Sequence, residues 1–151
     1  MRANILYVDD EQNNLNSFTA NYRRYYNIFT ALSAEEGLKI LETEDIHVLI
    51  TDQRMPKTTG VEFLESILDI HPHPTRMILT GYSDIDAVVD AINKGQVYRF
   101  VSKPWNELDF HITLDKAVEF YNLRKENREL TEKLLVANQQ LEFIARQNLL
   151  S

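Results

Sequence analysis

The chain contains no cysteine, so it can form neither a disulfide bond nor a thiolate metal site. It also lacks an apolar run approaching the roughly 20 residues that a helix needs to cross a bilayer. Its first twenty residues lack the charged start and apolar segment of a secretory signal. These absences lead us to expect a cytoplasmic protein with no membrane partner.

Clustered basic residues are missing as well. The 151 residues carry a formal net charge of −7. Residues 1–115 hold 18 acidic and 10 basic side chains, whereas residues 116–151 hold 5 acidic and 6 basic ones. Because nucleic-acid phosphates are bound by clustered Lys and Arg, we expect no direct binding of nucleic acid. The length allows one domain with a hydrophobic core and an extension.

Short apolar runs alternate with helix-like segments along the first 120 residues. Ser33 lies three residues before Glu36, which is the signature of a helix-starting capping box. Strand-like runs cover residues 4–8, 27–31, 47–51, 76–80 and 98–101, and helix-like segments cover residues 12–25, 34–43, 61–70, 84–93 and 106 onward. This alternation predicts an α/β fold in which helices cover both faces of a doubly wound, five-stranded parallel sheet.

Four of the apolar runs end in residues that carry a carboxylate, a hydroxyl or an ammonium group, namely Asp9-Asp10, Asp52, Thr80 and Lys103. Sites in open parallel sheets form just beyond the carboxyl ends of the strands, so these side chains are predicted to meet. Three clustered carboxylates need a cation, and Mg²⁺ prefers oxygen ligands. An Asp flanked by that cation, a Lys and a Thr is suited to carry a phosphoryl group. Taken singly, Asp52 also fits a turn or helix cap, and the Asp pair fits an ordinary loop.

Four motifs close predicted strands in order, and Gly60 follows Asp52 by eight residues. The motifs are residues 8–11 (VDDE), 51–56 (TDQRMP), 79–82 (LTGY) and 100–105 (FVSKPW). With these motifs, residues 1 to about 122 resemble the receiver domain of two-component response regulators. The resemblance implies a flavodoxin-like receiver fold with strand order 2-1-3-4-5. It also implies transfer of a phosphoryl group from a histidine kinase or phosphotransfer protein to one Asp.

The resemblance assigns the acceptor role to Asp52 and a Mg²⁺ site to the acidic residues around it. It implies that Asp10 binds Mg²⁺ directly, that Asp9 binds it through a water molecule, and that Asp52 is a further ligand. The backbone carbonyl of Arg54 is expected to complete the protein's share of the coordination. Arg54 itself departs from the small polar residue that is frequent at this position.

The resemblance also implies roles for three residues on the last two strands. Lys103 is expected to contact the acceptor carboxylate or the phosphoryl oxygens, and the Lys103–Pro104 peptide bond is expected to be cis. Thr80 is expected to donate a hydrogen bond to a phosphoryl oxygen once Asp52 is modified. Phe100 matches the switch aromatic that turns inward when Thr80 moves. Phe replaces the frequent Tyr here, so only rotation and burial can carry the signal.

Three other functions compete with this reading. Phosphatases of the haloacid dehalogenase type also use an Asp nucleophile, but they need a second Asp where this chain has Arg54. We therefore expect no enzyme beyond the receiver's own phosphorylation and dephosphorylation. A phosphorylation-independent interaction scaffold and a phosphorelay shuttle remain as alternatives.

The last helix is predicted to extend far beyond the receiver. Residues 106–150 contain neither Pro nor Gly, and apolar residues recur at alternating steps of three and four. This pattern predicts residues 123–151 as a parallel dimeric coiled coil, with Asn127 at a position where a buried Asn fixes register. The helix could instead cover the parent domain or an output domain beyond residue 151. The predicted dimer seam consists of Leu123, Asn127, Leu130, Leu134, Leu141 and Ile144.

Overall fold

The computed structural model describes residues 2–150 of the chain. Within them, parallel strands alternate with helices, and a 3₁₀ turn at Tyr82–Asp84 precedes the fourth helix. The strands are β1 (Asn4–Val8), β2 (Asn27–Ala31), β3 (Val48–Asp52), β4 (Thr75–Thr80) and β5 (Arg99–Ser102). The helices are α1 (Gln12–Tyr22), α2 (Ala34–Thr43), α3 (Gly60–Ile67), α4 (Ile85–Asn93) and α5 (Glu107–Leu150).

The five strands form one parallel sheet in the order β2-β1-β3-β4-β5. This topology confirms the predicted doubly wound receiver fold. Val8 pairs with Thr51, Asp52 pairs with Leu79, and Thr80 pairs with Ser102. The carboxyl ends of β1, β3, β4 and β5 therefore lie along one side of the sheet, which we call the carboxyl edge.

Two hydrophobic cores cover the two faces of the sheet. Ile5 and Tyr7 of β1 face the core that α1 and α5 complete, whereas Leu6 and Val8 face the core formed with α2, α3 and α4. Every residue of β3 is buried. Burial on both faces explains why the central strands read as continuous apolar runs and not as alternating ones.

Side chains that reach the backbone set the starts of two helices. The Ser33 hydroxyl accepts the Glu36 N–H at the start of α2, as predicted, but the Glu36 carboxylate accepts the N–H of Leu32 and not that of Ser33. A complete capping box at Thr59 and Glu62 starts α3. The pattern of the sequence predicts α3 one residue late and does not identify this box.

Two predicted helices are too long at their carboxyl ends. In the predicted segment 12–25 the helix ends at Tyr22, and beyond it Tyr26 is buried and donates its hydroxyl to Asp115 of α5. The predicted segment 61–70 ends at Ile67, and residues 68–74 form a turn before β4.

The chain divides into two compact units, Met1–Tyr121 and Asn122–Ser151. The first unit contains the sheet and both cores, and the described part of the second is helical. Residues 129–150 are exposed. The division into a receiver domain 1–122 and a coiled-coil extension 123–151 stays a prediction. Among residues 2–150, no helix has both the length and the apolar character needed to span a bilayer.

Candidate functional site

Three carboxylates converge at the carboxyl edge. Asp9 and Asp10 follow β1, Asp52 ends β3, and one oxygen from each lies within 4.8 Å of the others. Asp9 and Asp52 are buried, whereas Asp10 is exposed. We call these three residues the acidic cluster. All of its donor atoms are oxygens, and the distances between them suit a hard divalent cation that is held directly or through water. The residues present therefore fit Mg²⁺.

The Lys103 ammonium lies against the acidic cluster. Its Nζ is 2.7 Å from Asp52 Oδ1 and 3.4 Å from Asp9 Oδ2. Burial raises the pKa of the Asp52 carboxyl; Lys103 acts against this, and the charges of Asp9 and Asp10 add to it. Burial by itself lowers the pKa of Lys103, but the hydrogen bond and charge of Asp52, with Asp9, outweigh it and raise that pKa. The acidic cluster places three carboxylates beside one ammonium, an excess of negative charge that a cation would relieve.

Asp9 is held from several directions. Its Oδ1 accepts the Glu11 N–H at 2.9 Å, and its Oδ2 accepts the Asn14 amide at 3.1 Å and the Tyr7 hydroxyl. Burial, with the hydrogen bond and charge of Asp9 adding to it, raises the pKa of Tyr7, so Tyr7 stays protonated and donates. Tyr7 and Asn14 are not identified by the motif, although a hydroxyl inside an aliphatic strand run is a signal that a polar partner lies nearby.

The two predicted switch residues lie on neighbouring strands. Thr80 ends β4, is 1% exposed, and donates its hydroxyl to the Gly81 carbonyl at 3.1 Å. The backbone carbonyl of Thr80 accepts the Lys103 N–H at 3.0 Å, so the end of β4 is bonded to the residue that follows β5. Phe100 pairs with Ile78 in the sheet and packs, half-buried, against the core formed with α2, α3 and α4.

The guanidinium of Arg54 is bound by residues outside the acidic cluster. Its Nε donates to Asp84 Oδ2 at 2.8 Å, and its Nη2 donates to Ser83 Oγ at 3.1 Å. This guanidinium therefore joins the loop after β3 to the 3₁₀ turn before α4. The side chain borders an open cavity of about 450 Å³, which is also lined by Asp10, Asp52, Ser83, Asp84 and Lys103. The coordination of a metal by the Arg54 carbonyl stays a prediction.

Gln53 pins the loop that follows Asp52. This residue is buried; its N–H donates to Leu79 O at 3.0 Å, and its side-chain oxygen accepts the Val61 N–H at 2.9 Å. Its carbonyl accepts the Gly60 N–H at 2.9 Å. The strand end that carries Asp52 is thus tied to the first turn of α3. A Gln after an acidic residue reads as an ordinary loop residue, so the sequence carries no signal for this role.

Gly60 is required by the close approach of α3 to the end of β3. A Cβ at position 60 would lie 2.5 Å from the Asp52 carbonyl oxygen and 3.0 Å from Thr51 Cγ2. Because backbone atoms must shift to admit it, we expect Gly60→Ala to lower the free energy of unfolding by about 1–3 kcal/mol. Chemical denaturation measures the change.

The matched control is Gly81→Ala. Apart from residues 80–82 themselves, no atom lies within 4 Å of a Cβ built at position 81, so this substitution should leave stability nearly unchanged. Equal stability of the two variants would contradict the steric account of Gly60.

The chain is similar in sequence to a known protein family and to curated proteins. The family model described as response regulator receiver domain matches residues 5–115. The chain is 33% identical over 126 residues to the hydrogenase transcriptional regulatory protein HoxA of Bradyrhizobium diazoefficiens, an alignment that covers 83% of this chain and 26% of HoxA. The chain therefore spans about a quarter of the length of this curated relative.

Solved structures show the same similarity. The response regulator receiver domain protein of Clostridium thermocellum is 34% identical with a TM-score of 0.75, and the match covers 80% of this chain and 98% of that one. A chain described as adenylate cyclase from Rhodopirellula baltica is 30% identical with a TM-score of 0.85, over 88% of this chain and 99% of that one. Because the family model runs from β1 into α5 and thus takes in the whole sheet, the chain belongs to the response regulator receiver domain family.

Proposed function

We propose that this chain is the phosphorylation-activated receiver of a response regulator and that Asp52 accepts the phosphoryl group. The observation that supports this most directly is the position of Asp52, which belongs to the acidic cluster and lies 2.7 Å from the Lys103 ammonium. The donor is a phosphohistidine on a histidine kinase or phosphotransfer protein.

The chemistry follows from the residues around Asp52. A carboxylate needs no general base to attack phosphorus, so Asp52 forms an O–P bond while the P–N bond of the donor breaks. The electron pair of that bond stays on the ring nitrogen, and an imidazole that is already protonated at its other nitrogen leaves as a neutral group. Lys103 neutralises charge on the phosphoryl oxygens and aligns the acceptor oxygen. Asp9, Asp10, Asp52 and the Arg54 carbonyl would hold Mg²⁺, which would neutralise further charge on those oxygens.

The predicted switch requires Thr80 to change its hydrogen-bond acceptor. In this structure its hydroxyl donates to the Gly81 carbonyl. A phosphoryl oxygen on Asp52 is charged and hence a stronger acceptor than a carbonyl. Movement of Thr80 toward it would leave space into which Phe100 turns from its half-buried position. The surface formed by α4, β5 and the start of α5 would change as a result.

The residue at position 54 argues against a phosphatase. A haloacid dehalogenase-type enzyme needs a carboxylate there as acid and base, whereas Arg54 is a cation bound to Asp84. We therefore propose that the chain catalyses only its own phosphorylation and dephosphorylation.

We further propose that the signal leaves through α5 to a parallel dimer or an output module. This helix contributes residues to both compact units. The Leu and Ile side chains of the predicted seam are more than half exposed, a state that a second copy would relieve. The alignment covers only 26% of HoxA, which supports an output module elsewhere in the same polypeptide.

The experiment that tests this function measures phosphoryl uptake directly. The purified chain is incubated with phosphoramidate, with and without Mg²⁺, and its intact mass is recorded. We expect a gain of one phosphoryl group that needs Mg²⁺ and disappears with a chelator. No uptake from phosphoramidate would overturn the proposal and favour the interaction scaffold. Light scattering with and without beryllofluoride then shows whether the modification changes the oligomeric state.

A further inference from the structure

The hydroxyl of Tyr7 is the starting observation. Tyr7 lies in β1 between aliphatic residues and is fully buried, yet its hydroxyl reaches the carboxyl edge and donates to Asp9 Oδ2. The Asn14 amide, from the first turns of α1, donates to the same oxygen at 3.1 Å. Two neutral donors from different elements therefore converge on one oxygen of the acidic cluster.

The position of the Tyr7 ring is determined by packing. Its centroid lies 4.9 Å from that of Phe18 and 6.3 Å from that of Trp105, and the latter pair is edge-to-face. A side chain held on these sides cannot swing its hydroxyl away from Asp9 without opening the core. The hydrogen bond from the Tyr7 hydroxyl to Asp9 Oδ2, which we call the strut, is therefore rigid.

The strut affects which carboxylate the Lys103 ammonium lies against. Lys103 Nζ is 2.7 Å from Asp52 Oδ1 but 3.4 Å from Asp9 Oδ2, the oxygen that Tyr7 and Asn14 already occupy. Both carboxylates are buried, so each competes for donors. Since Asp9 is satisfied by Tyr7 and Asn14, the ammonium lies closer to Asp52.

We propose that Tyr7 and Asn14 are positioning residues that orient Asp9 for the cation and keep Lys103 on Asp52. This inference rests on the proposed Mg²⁺ site and phosphoryl acceptor. Partners that hydrogen-bond to a metal-binding carboxylate fix its orientation, and their loss typically weakens metal binding by about 10–100-fold. Neither residue needs to touch the cation or the phosphoryl group.

We expect Tyr7→Phe to raise the Mg²⁺ dissociation constant about tenfold, because Asp9 Oδ2 would lose its most rigid donor and turn toward Lys103. Asn14→Ala should act in the same direction but less strongly, because the Asn14 amide is shared with Glu11 Oε2 at 3.3 Å. The measurement is a Mg²⁺ titration followed by the fluorescence of Trp105, the single tryptophan of the chain, and by calorimetry.

The matched control is Tyr22→Phe. Tyr22 is also fully buried in the core that contains Tyr7, but its hydroxyl donates to the Glu107 carbonyl at 2.8 Å. Loss of the Tyr22 hydroxyl should change stability, but the midpoint of the Mg²⁺ titration should stay within twofold of that of the original chain. Thermal unfolding of each variant identifies any that is not folded, in which case Asn14→Ala carries the test.

A second measurement separates positioning from general damage. In Tyr7→Phe, phosphoryl uptake should be slow at low Mg²⁺ and should recover most of its rate when Mg²⁺ is saturating. A Tyr7→Phe midpoint equal to that of the original chain would overturn the inference while leaving the proposed function intact. An original chain that bound no Mg²⁺ would overturn both.

Discussion

The substitution Asp52→Asn is expected to abolish phosphoryl uptake from phosphoramidate. The side-chain amide has the shape of the carboxylate but neither its charge nor its nucleophilic oxygen, so the O–P bond cannot form at this position. Intact mass spectrometry after incubation with phosphoramidate and Mg²⁺ should show only the unmodified chain. Uptake at the original level would move the acceptor to another carboxylate and contradict the assignment of Asp52.

The same variant should not be destabilised. Burial and the charges of Asp9 and Asp10 raise the pKa of the Asp52 carboxyl, so the folded chain holds this charge at a cost. An uncharged amide removes that cost, although it also weakens the pair with Lys103. We expect an unchanged or slightly higher melting temperature. Loss of uptake therefore reports chemistry and not unfolding.

The control for Asp52→Asn is Asp86→Asn. Asp86 is an exposed residue in the first turn of α4 and belongs to no acidic cluster of the described residues. The same change of one negative charge should leave phosphoryl uptake intact. A comparable loss in both variants would point to net charge and not to the position of Asp52.

The arrangement of the strand ends could be predicted from the sequence alone. β3 and β5 each begin and end one residue later than predicted, and β4 begins one residue earlier. Buried parallel strands are short apolar runs, so their ends can be recognised in the sequence. Parallel pairing then brings the residues that follow these strands to one edge of the sheet. That is why the sequence predicts that Asp9, Asp10, Asp52 and Lys103 lie together.

Contacts between elements distant in sequence could not be predicted in the same way. Arg54 binds Asp84, which lies 30 residues further along the chain, and nothing in local periodicity links them. Gln53 and Gly60 act through backbone atoms of neighbouring elements, and such contacts leave no trace in hydrophobic pattern. The strut from Tyr7 to Asp9 is intermediate, because the spacing is local but the convergence with Asn14 depends on how α1 packs.

The coiled-coil proposal leads to the second large effect, which is the loss of dimerisation in a chain carrying Leu130→Asn and Leu134→Asn. These residues occupy consecutive core positions of the predicted heptads, where each would be buried against its counterpart in the second copy. Burial of one Leu contributes about 1.5–3 kcal/mol. Removal of four such side chains from a dimer should therefore raise its dissociation constant by several orders of magnitude, as measured by sedimentation or light scattering.

Leu135 provides the matched control for Leu134. The two residues are adjacent in α5 and similarly exposed, at 63% for Leu134 and 57% for Leu135, so an Asn at either changes solubility and helix propensity alike. Only position 134 lies in the predicted seam. If the dimer persists with Leu135→Asn but is lost with Leu130→Asn and Leu134→Asn, the heptad assignment is correct. A dimer that survives the double substitution would require another interface, and a chain that is monomeric before any substitution would assign the apolar positions of α5 to a different partner.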